Sequence, residues 1–190
     1  METIKIKKHY SKREMNNMND EPMIYNKKTK SWVSQSDVLD YIKYLHNKSP
    51  VKRNNYFKQL SLPSENVQYE MIRENYEDIR HIKTPTENVK AHCLKNQPGV
   101  VQWIDYVTKN DIMSILDSNI LTKDLLSLVI DFLPIEHLFD EYIQLSLIEK
   151  FWSETICNDI KNRIGEYSEC SKNLRKEINR LKLEKGAMTE

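Results

Sequence analysis

The stretch LTKDLLSLVIDFLPIEHL, residues 121–138, is the most apolar passage of the chain and decides how its second half folds. Thr122 has the side chain of a helix N-cap. Five apolar residues at helical spacing follow it: Leu125, Leu126, Val129, Ile130 and Leu133. Pro134 ends this helix, and because proline also suits the first turn of a helix, a second helix can begin at once. The sequence therefore predicts two helices that meet at a sharp corner at Pro134.

The rest of the chain is polar and has few residues that form tight turns. Of its 190 residues, 39% are hydrophobic and 30% are charged, and the mean hydropathy is −0.69. Only three glycines and six prolines interrupt it, which favours helices over a series of hairpins. The predicted fold class is mainly α: an irregular helical domain with a loose N-terminal tail and a C-terminal helix. The low apolar content also predicts that part of the chain depends on a partner for order.

Composition and spacing divide the chain into four predicted segments. They are a flexible basic tail (1–30), an N-terminal helical region (31–98), an apolar helical domain (99–156) and a C-terminal amphipathic helix or short coiled coil (157–190). Within the second segment, amphipathic helices are predicted over 34–47 and 64–82, and a short helix over 56–63. Residues 83–100 are predicted to be a linker or a short helix between turns. We find no sequence period of 20 to 50 residues, so a solenoid is not predicted.

Cysteine usage and apolar runs predict a soluble intracellular protein. Cys93, Cys157 and Cys170 are odd in number and form no C-x-x-C pair, so neither a disulfide framework nor a zinc module is indicated. The N-terminus lacks an apolar run of signal-peptide length, and no window reaches the length of a membrane span. We expect a cytoplasmic or nuclear protein without a membrane partner.

Residues suited to catalysis or metal binding are sparse. His92 and Cys93 are neighbours, but adjacent residues do not face each other on a helix, and no third group is placed to orient them. The remaining histidines stand singly, without ligand spacing: His9, His46, His81 and His137. We therefore predict no catalytic residue, no cofactor, no metal site and no enzymatic activity.

The passage around Pro134 resembles the F-box, a short helical module. Eight residues fall on the apolar positions of that family without a gap: Leu121, Leu125, Leu126, Val129, Phe132, Leu133, Pro134 and Leu138. The segment QLSLIEKFW, residues 144–152, is similar to the family's next block, which ends at a tryptophan. Thr122 replaces the first proline of the family, and about four residues within FDEYI are inserted between the two blocks.

The resemblance implies docking onto a Skp-type adaptor, and so onto a cullin ubiquitin-ligase complex, with recruitment of an unknown protein substrate. The adaptor-binding residues that it implies are Leu121, Leu125, Leu126, Val129, Leu133, Pro134, Leu138, Ile148 and Trp152. Helices laid against an adaptor groove would bury these leucines as anchors. A helix pair in the protein's own core needs the same residues, so spacing alone leaves both interpretations open.

The C-terminal segment has apolar residues at alternating spacings of three and four, as in a heptad. The predicted coiled-coil positions are Ile160, Ile164, Tyr167, Leu174, Ile178 and Leu181. This pattern suits either a single helix on the domain or a homo-oligomeric coiled coil. A helical assembly protein that oligomerises through these heptads is the second functional hypothesis.

Charge is unevenly distributed along the chain. Residues 1–60 carry 13 Lys or Arg against 6 acids, whereas residues 61–150 carry 8 against 15. Basic residues cluster in the tail beside Tyr10, Tyr25 and Trp32: Lys5, Lys7, Lys8, Lys12, Arg13, Lys27, Lys28 and Lys30. A basic arm that binds nucleic acid is a third, weaker hypothesis. Because short lysine runs on a tail usually only solvate it, nucleic acid is not the expected partner.

Overall fold

The computed structural model describes residues 22–150 and 154–164, together with Lys176 and Arg180. The prediction of a mainly α, irregular helical fold is confirmed. The chain divides into two compact units, Met1–Cys93 and Leu94–Glu190. The sequence analysis placed this division between residues 98 and 99 because Pro98-Gly99 is a turn signal. In the structure Pro98 instead opens a 3₁₀ helix that belongs to the second unit.

The first unit contains a three-stranded antiparallel sheet. Strand β1 (Met23–Asn26) pairs with β2 (Ser31–Ser34) as a hairpin and, on its other side, with β3 (Leu60–Ser61). The order across the sheet is therefore β2-β1-β3. Residues 23–30 were predicted to be part of a loose tail. That prediction is wrong for these residues, because β3 pairs with β1 and supplies the third strand that a short hairpin needs for stability. Strand β3 lies more than thirty residues away along the chain, so local spacing does not indicate the pairing.

The two faces of the hairpin differ in burial. Ile24 and Val33 are paired across the strands and are buried at 3% and 0% exposure. Tyr25 and Trp32, the next pair, are half-buried on the opposite face, because successive side chains of a strand alternate. The sheet therefore has one face in the core and one aromatic face turned outward.

Helices complete the first unit. They are α1 (Gln35–His46), α2 (Pro50–Phe57), α3 (Glu65–Ile72), a first 3₁₀ helix (Tyr76–His81) and α4 (Glu87–Asn96), which continues across the boundary between the units. The Ser34 hydroxyl caps α1, accepting from the Asp37 N–H at 3.2 Å. Residues 87–96 form a full helix where the sequence analysis allowed only a linker or a short one.

Two predicted helices of this unit have different bounds in the structure. The helix predicted over 56–63 ends at Phe57 and is followed by strand β3, since α2 begins earlier, with Pro50 in its first turn. The helix predicted over 64–82 is broken at Asn75. The Asn75 side chain accepts from the Glu77 N–H at 3.1 Å and so starts the 3₁₀ helix afresh.

The second unit is built from short helices. They are a second 3₁₀ helix (Pro98–Trp103), α5 (Lys109–Leu116), α6 (Lys123–Phe132), α7 (Ile135–Leu138), α8 (Glu141–Lys150) and α9 (Glu154–Ile164). Helix α6 packs on the second 3₁₀ helix and on α9, while α5 packs on α8. The core of this unit therefore lies around α6.

The corner predicted at Pro134 is present. The Thr122 hydroxyl accepts from the Leu125 N–H at 3.2 Å and caps α6, which ends at Phe132. The second helix, which begins directly after Pro134, is short, because α7 stops at Leu138. The Asp140 carboxylate accepts from the Ile143 N–H at 3.2 Å, and this bond starts α8. The break falls within the FDEYI insertion.

A helix–3₁₀ unit recurs along the middle of the chain. Helices α3, α4 and α5 begin at Glu65, Glu87 and Lys109, at intervals of 22 residues. The two 3₁₀ helices begin at Tyr76 and Pro98, which are also 22 residues apart. No period of this length is predicted from the sequence, and the 22-residue interval shows that this prediction is wrong.

The repeat is encoded by a short signature and by its buried positions. PSENV (63–67) recurs as PTENV (85–89), and a serine or threonine precedes all three helices. Five pairs of buried residues lie 22 positions apart: Val67 and Val89, Met71 and Cys93, Ile72 and Leu94, Ile79 and Val101, Ile82 and Ile104. The Thr86 hydroxyl donates to Glu65 at 2.6 Å, and this bond ties the start of the second copy to the first. With two full copies and one partial copy, the signal is too short to stand out by composition.

Candidate interaction surface

Most of the predicted adaptor-binding residues lie in the core of the second unit. Six are buried: Leu121, Leu126, Val129, Leu133, Leu138 and Ile148. Leu125 and Pro134 are half-buried, and Trp152 lies outside the described residues. The six buried side chains fill the protein's own core, so in this structure they present no surface to a partner.

The outer side of the same corner is apolar as well. Leu128, Phe132 and Ile135 are 47%, 42% and 44% exposed, and together we call them the corner strip. Leu128 and Phe132 lie four residues apart on one side of α6, and Ile135 is the first residue of α7, just past the corner. Leu128 and Ile135 were not among the interaction residues predicted from the sequence. The available signal was that Leu128 lies between the core positions Leu126 and Val129, where a helix turns its side chains outward.

Acidic residues border the corner strip along the chain. Asp124 and Asp131 on α6 and Glu136 on α7 are all exposed. The strip is thus an apolar patch with an acidic rim, which resembles the apolar centre and polar rim of protein interfaces. A complementary partner would present an apolar groove with basic residues at its edge.

The corner that carries the strip is held by hydrogen bonds from α9. The Arg163 guanidinium donates to the carbonyls of Asp131 and Leu133, the latter at 2.7 Å. These carbonyls lie at the C-terminal end of α6, where the helix supplies no further N–H donors. The Ser127 hydroxyl on α6 also donates to Asp159 on α9. The strip is therefore presented by a braced element rather than by a free loop.

A second set of contacts fixes the start of α8. Lys109 Nζ lies 3.1 Å from Asp140 Oδ2 and 4.7 Å from the centre of the Tyr142 ring. The hydrogen bond from Lys109, followed by that from the Ile143 N–H, lowers the pKa of Asp140 below its ordinary value. On α7, His137 Nε2 lies 2.8 Å from the Val107 carbonyl oxygen. These contacts position both short helices that follow the corner.

The predicted coiled-coil positions divide between the core and the undescribed part of the chain. Ile160 and Ile164 on α9 are buried at 0% and 2% exposure within the second unit. Tyr167, Leu174, Ile178 and Leu181 lie outside the described residues. In the described part, the heptad stripe packs on the chain itself.

The adjacent residues His92 and Cys93 differ in burial. Cys93 is fully buried, and burial raises the pKa of its thiol to about 12, so the thiol stays protonated at neutral pH. His92 is exposed, and its ring contacts those of Tyr69 and Tyr76 at centroid distances of 5.4 and 5.6 Å. These residues therefore do not form a nucleophile and its base. Among residues 22–150 and 154–164, no cluster of three or more His, Cys, Asp or Glu side chains could hold a metal ion.

A polar cleft of about 450 Å³ lies between α1, α2 and the first 3₁₀ helix. At its base Arg53 donates to Asp78, and Asn54 donates to the same carboxylate at 3.4 Å. Arg53 also donates to His46 Nδ1 at 2.7 Å, so His46 Nε2 is the donor to the Glu70 carbonyl oxygen, at 2.7 Å. The buried ion pair of Arg53 and Asp78 therefore ties α2 to the 3₁₀ helix, and the bond from Arg53 to His46 adds α1.

The predicted basic residues also divide in two. Lys27, Lys28 and Lys30 are exposed on the β1–β2 turn. The tail residues Lys5, Lys7, Lys8, Lys12 and Arg13 lie outside the described part.

No helix of the described residues is long and apolar enough to cross a membrane. No known protein-family model matches the chain, and neither does any curated protein or solved structure.

Proposed function

We propose that this chain is a non-enzymatic adaptor that docks on a Skp-type subunit of a cullin ubiquitin ligase and recruits a protein substrate. The observation that supports the proposal is the exposed corner strip, which lies on the two helices whose sequence resembles the F-box. The proposal assigns the contact to Leu128, Phe132 and Ile135, with the half-buried Leu125 and Pro134 at its edge. In this proposal the buried leucines at the F-box positions pack the core that holds the two helices in place.

The size of the strip suits the centre of an interface. Complete burial of one Leu or Phe side chain contributes about 1.5–3 kcal/mol, so three half-exposed side chains would contribute about 2–4 kcal/mol together. A few such anchors commonly carry most of the binding energy of an interface. Braced helices add to this because little side-chain and backbone freedom is lost on binding.

The test is co-elution of the full chain with a purified Skp-type adaptor. We expect the wild-type chain to form a complex, and the double variant Leu128→Asp, Phe132→Asp to lose it, since two carboxylates would enter an apolar groove. Both positions are exposed, so the variant should keep the wild-type melting temperature.

The matched control is Val51→Asp with Leu62→Asp. These residues are 69% and 82% exposed and lie in the first unit, so the control adds the same charge to an exposed apolar surface elsewhere. It should bind like the wild type. A wild-type chain that fails to bind the adaptor would end the proposal, and a strip variant that binds normally would end the assignment to the corner strip. Leu133→Asp and Leu138→Asp are unsuitable because both residues are buried and the variants would unfold.

A further inference from the structure

The basic charge of the N-terminal third lies in residues 22–60 and not in residues 1–21. Residues 1–21 carry 5 Lys or Arg against 4 acids, so they are nearly neutral. Residues 22–60 carry 8 against 2, and the two acids are Asp37 and Asp40 on α1. No Asp or Glu occurs in residues 22–36 or 41–64, which include all three strands and α2. The sheet and its neighbouring helix are therefore a basic surface.

Four exposed lysines are grouped at the tip of the hairpin. Lys27, Lys28 and Lys30 lie on the β1–β2 turn, and the Lys27 N–H donates to the Gln59 carbonyl at 2.7 Å, which places Lys58 beside them. We call these four residues the lysine tip. Within residues 22–150 and 154–164, no carboxylate lies at ion-pair distance from any of them.

The turn that carries the lysine tip is ordered by its own hydrogen bonds. The buried Asn26 side chain accepts from the N–H groups of Lys28 and Thr29 at 3.0 and 3.2 Å. Lys30 has a φ of 54°, in the left-handed region where glycine or asparagine is favoured. A left-handed residue at the end of a hairpin loop is usual turn geometry, so the lysines are carried on a defined backbone.

An aromatic pair lies on the outward face of the same hairpin. The rings of Tyr25 and Trp32 are 5.3 Å apart at an angle of 60°, and both side chains are half-buried. The pair is separated from the lysine tip by one residue on each strand. Aromatic rings on an outward face beside basic side chains can stack on unpaired bases while the lysines contact phosphates.

We infer that the outward face of the hairpin binds single-stranded nucleic acid, through phosphate contacts from Lys27, Lys28, Lys30 and Lys58 and base stacking on Tyr25 and Trp32. An acidic protein segment would use the lysines but would offer no flat bases to stack on the rings. The combination of the two therefore favours unpaired bases on a phosphate backbone. This site is independent of the corner strip, because all of its residues lie in the first unit.

The first test measures fluorescence anisotropy of labelled twenty-nucleotide oligo-dT and oligo-U with the full chain at several salt concentrations. Four phosphate contacts predict a slope of log K against log salt of about −3 for a single strand. The variant with Lys27, Lys28, Lys30 and Lys58 all changed to Glu should lose binding. The control changes four exposed lysines elsewhere to Glu, with the same net charge, and should retain most of the affinity: Lys43, Lys48, Lys95 and Lys123. Equal losses in both variants would overturn the site.

The second test separates stacking from charge alone. Trp32→Leu should weaken oligonucleotide binding by at least about fivefold, as expected for the loss of one stacked base. Binding of heparin, which offers negative charge without aromatic bases, should not respond to this change, and the melting temperature of the variant should show that it is folded. Oligo-dT and oligo-U arms distinguish DNA from RNA as the preferred strand. If Trp32→Leu binds both oligonucleotides like the wild type, or if anionic phospholipid vesicles bind more tightly than either, the inference is wrong.

Discussion

Phe132 and Leu133 are adjacent residues with opposite environments. Phe132, the last residue of α6, is 42% exposed, whereas Leu133 is 1% exposed. Both fall on apolar positions of the F-box resemblance, and a pattern of apolar residues does not distinguish a buried side chain from an exposed one. The helix ends between them, and the turn at Pro134 directs Leu133 into the core of the second unit.

This difference gives a prediction for stability at the scale of single residues. Leu133→Ala should lower the free energy of unfolding by about 2–5 kcal/mol, because it leaves a cavity in a packed core. Phe132→Ala should change it by less than about 0.5 kcal/mol, as for most exposed positions. Urea denaturation followed by circular dichroism measures both values. Equal losses from the two substitutions would show that Phe132 belongs to the core and that the corner strip is not a free surface.

The helix–3₁₀ repeat is the element whose parts can be compared most directly. Its three helices begin after Ser64, Thr86 and Thr108, which occupy equivalent positions but are bonded differently. Thr108 forms a reciprocal capping box with Asp111, and the Thr86 hydroxyl accepts from the Val89 N–H at 3.4 Å. The Ser64 side chain makes no cap bond and donates instead to Gln35. Equivalent positions in a repeat thus differ in how much they stabilise their helix.

The three cap positions therefore predict an order of effects. Thr108→Ala and Thr86→Ala should each lower the free energy of unfolding by about 1 kcal/mol, the usual cost of removing a side-chain cap. Ser64→Ala should cost less, since no helix N–H loses its partner. Chemical denaturation of the three single variants measures the order. A Ser64 variant that is the least stable of the three would mean that its bond to Gln35 outweighs the caps.

At the scale of the whole molecule, the two proposed binding surfaces lie in different units and carry opposite character. The lysine tip belongs to a stretch with 8 basic residues against 2 acids, whereas residues 94–150 carry 4 against 9. The near-neutral net charge of +1 conceals this division. A partner that carries phosphates would bind the first unit, and a partner with an apolar groove and basic edge would bind the second.

Crossing the two sets of variants tests this division. The chain with all four lysine-tip residues changed to Glu should co-elute with the Skp-type adaptor like the wild type. The double variant Leu128→Asp, Phe132→Asp should bind oligo-U and oligo-dT with unchanged affinity, since substitutions without shared partners act independently. The two assays are run on the same four proteins: wild type, each variant and their combination. Loss of both activities in either variant would indicate a general folding defect instead of two separate sites.

The sequence by itself determined the features whose causes are local. Ser34 and Thr122 cap the helices predicted for them, and Pro134 produces the predicted corner, because a cap or a proline acts on groups only a few residues away. The mainly α class follows from the same local preferences summed along the chain. The 22-residue repeat was also present in the sequence, in PSENV and PTENV, although five residues are a weak signal.

Only the tertiary structure decided which apolar residues face inward. Leu126 and Leu128 are chemically identical, yet one is fully buried and the other is 47% exposed, because α9 and the second 3₁₀ helix cover one side of α6 only. Strand β1 likewise required β3, and Lys58 came beside Lys27 only through that pairing. Burial and strand pairing depend on segments that are distant along the chain. Local spacing therefore predicted the helices but not the surfaces that they present.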